Sequence, residues 1–189
     1  TRKRTLFPYT TLFRSFSFGA TRATLNVPVV PFMPSSHAIA MTDGSELSTS
    51  SSSMALWNAI DVSAGANSRI TASSLLLDLP SSITQRVGST LTLTPALSRL
   101  NGAFTLLPNA TLAAGGIDQG GTATVFGAVV AATSLNNLAA GTISGYGDIA
   151  CPVSNAGAFD VDANMQVVGN FSNLSTGKIT VFNGTLTIL

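Results

Sequence analysis

From residue 101 onward, apolar and polar positions alternate in short bursts: "TISG", "AFDVDA", "MQVVG", "KITVF" and "GTLTIL". Alternation with β-branched residues predicts short strands, each with one face inward. The breaks between them, "NNLAAG", "SGYGD", "SNAG", "VGN" and "FNG", carry Gly and Asn, which tolerate the positive φ of tight corners. No window holds an amphipathic helical stripe. The bursts recur. Asn137, Asn155 and Asn173 stand eighteen positions apart. Leu107, Val125, Ile143, Val161 and Ile179 keep the same interval, and so do Ile117, Leu135, Val153, Phe171 and Leu189. Ala113, Ala131, Ile149 and Val167 form a third aliphatic series that drifts at Thr185–Leu186.

Short strands in coils of about 18 residues, with like residues stacked on like, predict a parallel β-solenoid. Each coil would rise about 4.8 Å, the ordinary strand spacing. Val125, Ile143, Ile149, Val153, Val161, Val167, Phe171 and Ile179 are the expected inward residues. The Asn series is expected to stack in a corner and hydrogen-bond from coil to coil, as amide ladders do. An antiparallel β-sandwich is the alternative architecture.

Before residue 101 the pattern is looser. "SRITASSLLLDL", "STLTLTP" and "GAFTLLPNATL" read as strands. Ser45–Ser53 reads as an exposed loop or linker. A short helix is expected at Ser53–Ile60 around Trp57. The organisation is therefore a leader over 1–15, an irregular Pro/Ser-rich lead-in over 16–55, and a solenoid over 56–189, most regular from 101. The chain stops at "GTLTIL" without a capping segment, so a truncated solenoid is expected.

"GTISGYGDIACPVSNAGAF" and "VVGNFSNLSTGKITVFNGTLTI" resemble the repeat regions of bacterial surface and secreted β-helix proteins, such as autotransporter passengers and haemagglutinin-type adhesins. The resemblance covers roughly 101 to 189. It implies a right-handed parallel β-helix, an extracellular or bacterial cell-surface location, and a structural rod or adhesin-like role without catalysis. A second resemblance concerns the leader. "TLFPYTTLFRS", Thr5 to Ser15, is similar over its whole length to the in-frame translation of a common short-read sequencing adapter. It implies an environmental (metagenomic) gene fragment, with the leader outside the fold.

Excluding the leader changes the charge. Arg2, Lys3, Arg4 and Arg14 are removed, and five basic residues then face eight acidic ones, a net of −3 rather than +1. No Lys/Arg cluster remains to neutralise phosphates, so no nucleic-acid partner is expected. Charged residues make up 9% of the chain, against about 25% in ordinary globular proteins. No apolar run reaches the length of a membrane-spanning helix. "HAIAM" at His37–Met41 has a cleavage-site look, but the prolines of the preceding "VPVVPFMP" argue against a signal peptide.

The chemistry-bearing residues are few. Asp160, Asp162 and Asn164 in "DVDAN" occupy alternate positions, a pattern that would turn three oxygen ligands to one face for a cation such as Ca²⁺. Met165 and Phe171 stand where an EF-hand loop needs Gly and Glu, so a solvated face is the preferred reading. "GGIDQGG" at Gly115–Gly121 is a single imperfect copy of a calcium nonapeptide. His37 is the lone histidine and has no local triad partner. Cys151 is the lone cysteine, read as a small buried hydrophobe. No metal, cofactor or catalytic residue is expected. The competing class is a β-helical polysaccharide lyase or hydrolase. It would draw a carboxylate pair from Asp160 and Asp162, with Asp148 or Asp118 on neighbouring coils, and Lys178 as the one nearby base. Asn109, Asn170, Asn173 and Asn183 match the glycosylation pattern but read as turn and ladder residues. Exposed Thr and Asn rows would form a flat polar surface, for which surface glycans or polysaccharide are the expected partners.

Overall fold

The computed structural model describes residues 15–18, 23–24, 37–48, 53–56 and 60–189. Every strand pairing among them is parallel, which removes the antiparallel sandwich. The strands stack as a parallel β-solenoid of about seven turns. Three faces enclose one apolar interior. Face 1 comprises Ser15–Phe18, His37–Met41, Ile60–Ala64, Ser82–Gln85, Ala103–Leu106 and Lys178–Val181, together with the leading parts of Thr122–Ala132, Thr142–Ala150 and Ala158–Val167. Face 2 holds Ala23–Thr24, Glu46–Ser48, Arg69–Ala72, the leading parts of Thr90–Leu100 and Thr111–Gln119, the trailing parts of the three long strands, and Leu186–Ile188. Face 3 holds Met54–Leu56, Leu75–Leu77, the ends of Thr90–Leu100 and Thr111–Gln119, then Leu135–Asn137, Val153–Asn155 and Phe171–Asn173.

The coil length is not constant, and this corrects two of the aliphatic series. On face 1 the inward ladder runs Ile39, Val62, Ile83, Phe104, Ala123, Ile143, Phe159, Ile179. Every step exceeds twenty positions as far as Phe104. The later steps are nineteen, twenty, sixteen and twenty positions. A step of twenty followed by one of sixteen averages eighteen, so the period holds over two coils and fails over one. Val125 and Val161 therefore belong to a second inward ladder with Leu106, Gly145 and Val181. Leu107 lies beyond the strand end. On face 2 a nineteen-position step pairs Val130 with Ile149 and Ala131 with Ala150. One extra residue flips side-chain direction. Ala113 and Ala131 thus point outward, whereas Ile149 and Val167 are fully buried. On face 3 every step from Ile117 onward is eighteen, and Ile117, Leu135, Val153 and Phe171 stack as expected. Leu189 does not join them; it follows the face 2 strand, where its N–H donates to the Val167 carbonyl. Of the expected inward residues, Val125, Ile143, Ile149, Val153, Val161 and Val167 are buried and Phe171 is partly covered. Ile179, in the last coil, is 39% exposed.

The looser first half is a regular solenoid with a longer coil. Its corner between faces 1 and 2 places Gly44, Asn67, Gly88, Asn109 and Gly127 at φ between 54° and 70°. The left-handed conformation explains why only Gly and Asn occur there. In the next position, Ser45 and Ser68 donate Oγ–H bonds of 2.7 and 2.6 Å to the carbonyls of Thr42 and Gly65. The signature is "GSEL", "NSRI", "GSTL", "NATL", starting at Gly44, Asn67, Gly88 and Asn109. These intervals all exceed twenty, so the signature falls outside an eighteen-position period. Two local expectations fail for the same reason. Glu46–Ser48, inside the expected Ser-rich loop, is a face 2 strand. Met54–Leu56, expected to begin a helix, is a face 3 strand with Met54 and Leu56 buried. Tertiary stacking overrides local propensity at both. Trp57 lies outside the described residues.

The corner between faces 3 and 1 carries another glycine column, Gly102, Gly121, Gly141, Gly157 and Gly177. A Cβ on any of these would strike a carbonyl oxygen of the preceding coil. Close approach, rather than positive φ, demands glycine here. Beside it runs a ladder of Leu56, Leu77, Leu100, Gln119, Asn137, Asn155 and Asn173. It begins as leucine and ends as amide. Asn137 Nδ2 donates to Asn155 Oδ1, and Asn155 Nδ2 to Asn173 Oδ1, each at 2.7 Å. Asn137 and Asn155 are buried, and the expected Asn ladder is present.

Candidate functional site

With the interior filled, any function falls to the outward positions. On face 1 these form two columns. One is Ser82, Ala103, Thr122, Thr142, Ala158, Lys178; the other is Ser63, Thr84, Thr105, Thr124, Ser144, Asp160, Thr180. Four successive coils, from Ser82 to Ser144, present seven hydroxyls, one methyl and no charge. Their register is unbroken from Ser82–Gln85 to Thr142–Gly145, so the rows lie side by side. The next outward position carries the exposed Arg86 on the first of these coils and, on the third and fourth, Phe126 beside Tyr146, ring centroids 6.0 Å apart and edge to face. Faces 2 and 3 are mixed: Glu46, Arg69 and Asp148 point out from the former, Arg99 and Asp118 from the latter. The hydroxyl rows supply the Thr part of the flat polar surface expected from the sequence, and no Asn joins these columns. The sequence alone did not say which Thr residues share a face, because the unequal steps of nineteen, twenty and sixteen hide it.

The expected ligand and carboxylate groupings do not form. Asp160 sits on face 1 between Ser144 and Thr180. After Val161 the chain leaves the ladder, which resumes at Met165 beside Gly147. Asp162, Ala163 and Asn164 are thereby pushed into the corner, where a simple alternating strand would have kept all three oxygens on one face. Asn164 Oδ1 accepts bonds of 3.2 Å from both Thr185 N–H and Thr185 Oγ1–H. Among the described residues no three His, Cys, Asp or Glu side chains converge as a metal site. Asp118 lies on face 3, accepting a 2.9 Å bond from Asn136 Nδ2, and Asp148 on face 2. The carboxylates of neighbouring coils thus diverge onto three faces. Lys178 extends the face 1 column beyond Ala158. In "GGIDQGG", Gly115 abuts the Pro95 carbonyl and Gly121 that of Gly102, so packing explains the glycines.

Cys151 is buried at the corner between faces 2 and 3. Desolvation pushes its thiol pKa up from 9.0 to about 11, against a smaller opposing effect of a hydrogen bond with the Ala132 backbone. The thiolate is the nucleophile, so native Cys151 should alkylate about 100-fold more slowly than in urea at pH 8, with iodoacetamide as the probe. The folded pKa is the higher one. The stability Cys151 contributes is therefore complete below pH 9 and is lost as pH rises from 9 towards 11. Cys151→Ala should lack that increment when urea midpoints are compared across this range; identical slopes would refute the burial argument. His37 pairs through its backbone with Ile60, and its side chain lies outside the described residues. Of the Asn positions matching the glycosylation pattern, Asn109 is a left-handed turn residue and Asn173 a ladder residue. Asn170 and Asn183 are exposed.

The interior cavity lined by Leu100, Phe104, Gln119 and Ile143 holds about 20 Å³. Small-molecule sites need about 300–1,000 Å³. An open groove lined by Asp43, Ser63, Thr84 and Arg86 borders face 1. Among the described residues no helix is long and apolar enough to cross a membrane. The fold defines the chain as a parallel β-solenoid. Comparison with protein-family models finds no match, and comparisons with curated proteins and with solved structures find none either.

Proposed function

We propose that this chain is a rod-like, adhesin-type segment of a bacterial surface or secreted protein, carrying a polysaccharide-contacting surface and performing no catalysis. The observation that carries this reading is the closed apolar interior beside an outer face whose two columns are regular and uncharged over four coils. A solenoid of this kind is stiff because each coil is bonded to the next along all three faces. The divergence of Asp118, Asp148 and Asp160 speaks against the two-carboxylate chemistry of glycoside hydrolysis. The test is a pull-down of the whole chain on a panel of immobilised polysaccharides, with reducing ends and unsaturated products assayed in parallel. Retention without product release is expected. Product release would replace the rod with an enzyme, and failure to bind any polysaccharide would remove the adhesive role.

A further inference from the structure

We infer that face 1, between Ser82 and Tyr146, is a docking strip for a neutral polysaccharide chain. The inference rests on the adhesive reading above and assigns it a site and a ligand class. Strand propensity explains Thr at outward positions in general. It acts equally on all faces, yet the hydroxyls of face 2 give way after Thr111 to Ala113, Val129, Ala131 and Asp148. The two columns of face 1 keep hydroxyls and carry no charge over four coils, with Arg86 at their edge on the first.

A sugar chain offers hydroxyls that both donate and accept, and Ser and Thr hydroxyls do the same. Rows about 4.8 Å apart along the solenoid axis can meet successive rings of an extended chain. The apolar faces of those rings call for an aromatic partner, and Tyr146 supplies one: a large amphipathic side chain, 36% exposed at the edge of the rows. It is held in place. Its ring edge lies over Gly127, where a Cβ would come within 3.2 Å of Cε2, and Phe126 packs against it edge-on. A pre-positioned ring loses little freedom on binding. The columns offer no row of cations along the four coils, only Arg86 at one edge with Asp43 in the same groove, and acidic chains need cationic partners.

Affinity electrophoresis of the whole chain in mixed-linkage β-glucan and in polygalacturonate tests this, with far-UV circular dichroism to verify each fold. Retardation by the neutral glucan is expected. Tyr146→Ala should weaken it at least 10-fold, Tyr146→Phe should stay near wild type, and Thr111→Ala on face 2 should change nothing. Thr142→Lys, which places a long charged side chain across the rows, is the second variant should Tyr146→Ala fail to fold, and a 10-fold loss is again expected. Undiminished glucan binding by Tyr146→Ala or Thr142→Lys would overturn the strip while leaving the adhesive reading in place. Stronger retardation by polygalacturonate would overturn the neutral ligand. No binding to either, with other polysaccharides still retained on the panel, would refute the strip alone.

Discussion

Val161→Asp should unfold the C-terminal coils and lower global stability by about 4 kcal/mol or more. Val161 is fully buried in the inward ladder between Gly145 and Val181. A carboxylate there meets only apolar side chains and ladder backbone whose hydrogen bonds are already made, so it must enter unpaired or protonated. Either state is costly, and no rotamer reaches water because the strand fixes the inward direction. In a solenoid the damage spreads through nearest-neighbour coupling. Coils containing Ile143, Phe159 and Ile179 lose the partner that holds them in register. Urea denaturation and limited proteolysis read this out. The midpoint should fall sharply and new cleavage should appear beyond residue 140. Asp160→Asn, one residue away on the outward side, should shift stability by no more than about 0.5 kcal/mol. A Val161→Asp protein with wild-type protease resistance would show that the face 1 register is wrong.

The second large effect is expected at Asn155. It accepts from Asn137 and donates to Asn173, and it is completely buried. Asn155→Ala removes both bonds, together with a longer 3.4 Å one that its Nδ2 donates to the Lys178 carbonyl, and leaves a void, at a cost of about 2–3 kcal/mol. The same ladder is leucine at residues 56, 77 and 100, so an apolar column is compatible with this corner. Asn155→Leu alone strands the amide of Asn137, which then keeps only its 2.8 Å bond to the Ala158 carbonyl. Converting Asn137 to Leu as well removes that polar group altogether. The double variant should therefore be more stable than the sum of its single changes predicts, by about 1 kcal/mol in a double-mutant cycle. Strict additivity would mean that the amide pair contributes no coupled hydrogen bond.

The amide ladder shows which features were readable from sequence. From Ile117 onward face 3 keeps a constant coil length, so Asn137, Asn155 and Asn173, with Leu135, Val153 and Phe171 beside them, declared their stacking through spacing alone. Val161 and Val125 declared burial but not their partners, because a longer coil followed by a shorter one restores the period only after two turns. The first half concealed a longer repeat carried by Gly44, Asn67, Gly88 and Asn109, whose shared requirement is a left-handed corner rather than an apolar side chain.

By itself, then, the sequence determined the all-β solenoid, the burial of Val125, Ile143, Ile149, Val153, Val161 and Val167, and the amide ladder: alternation, period and composition carry that information locally. Tertiary structure decided what depends on cumulative coil length. It separated Asp118, Asp148 and Asp160 onto three faces, moved Asp162 and Asn164 into a corner, and turned Ala113 and Ala131 outward. It also gathered Thr84, Thr105, Thr124, Ser144 and Tyr146 into one strip. A single residue added to a coil reverses the direction of every side chain after it until the next corner, and only the closed coils record that count.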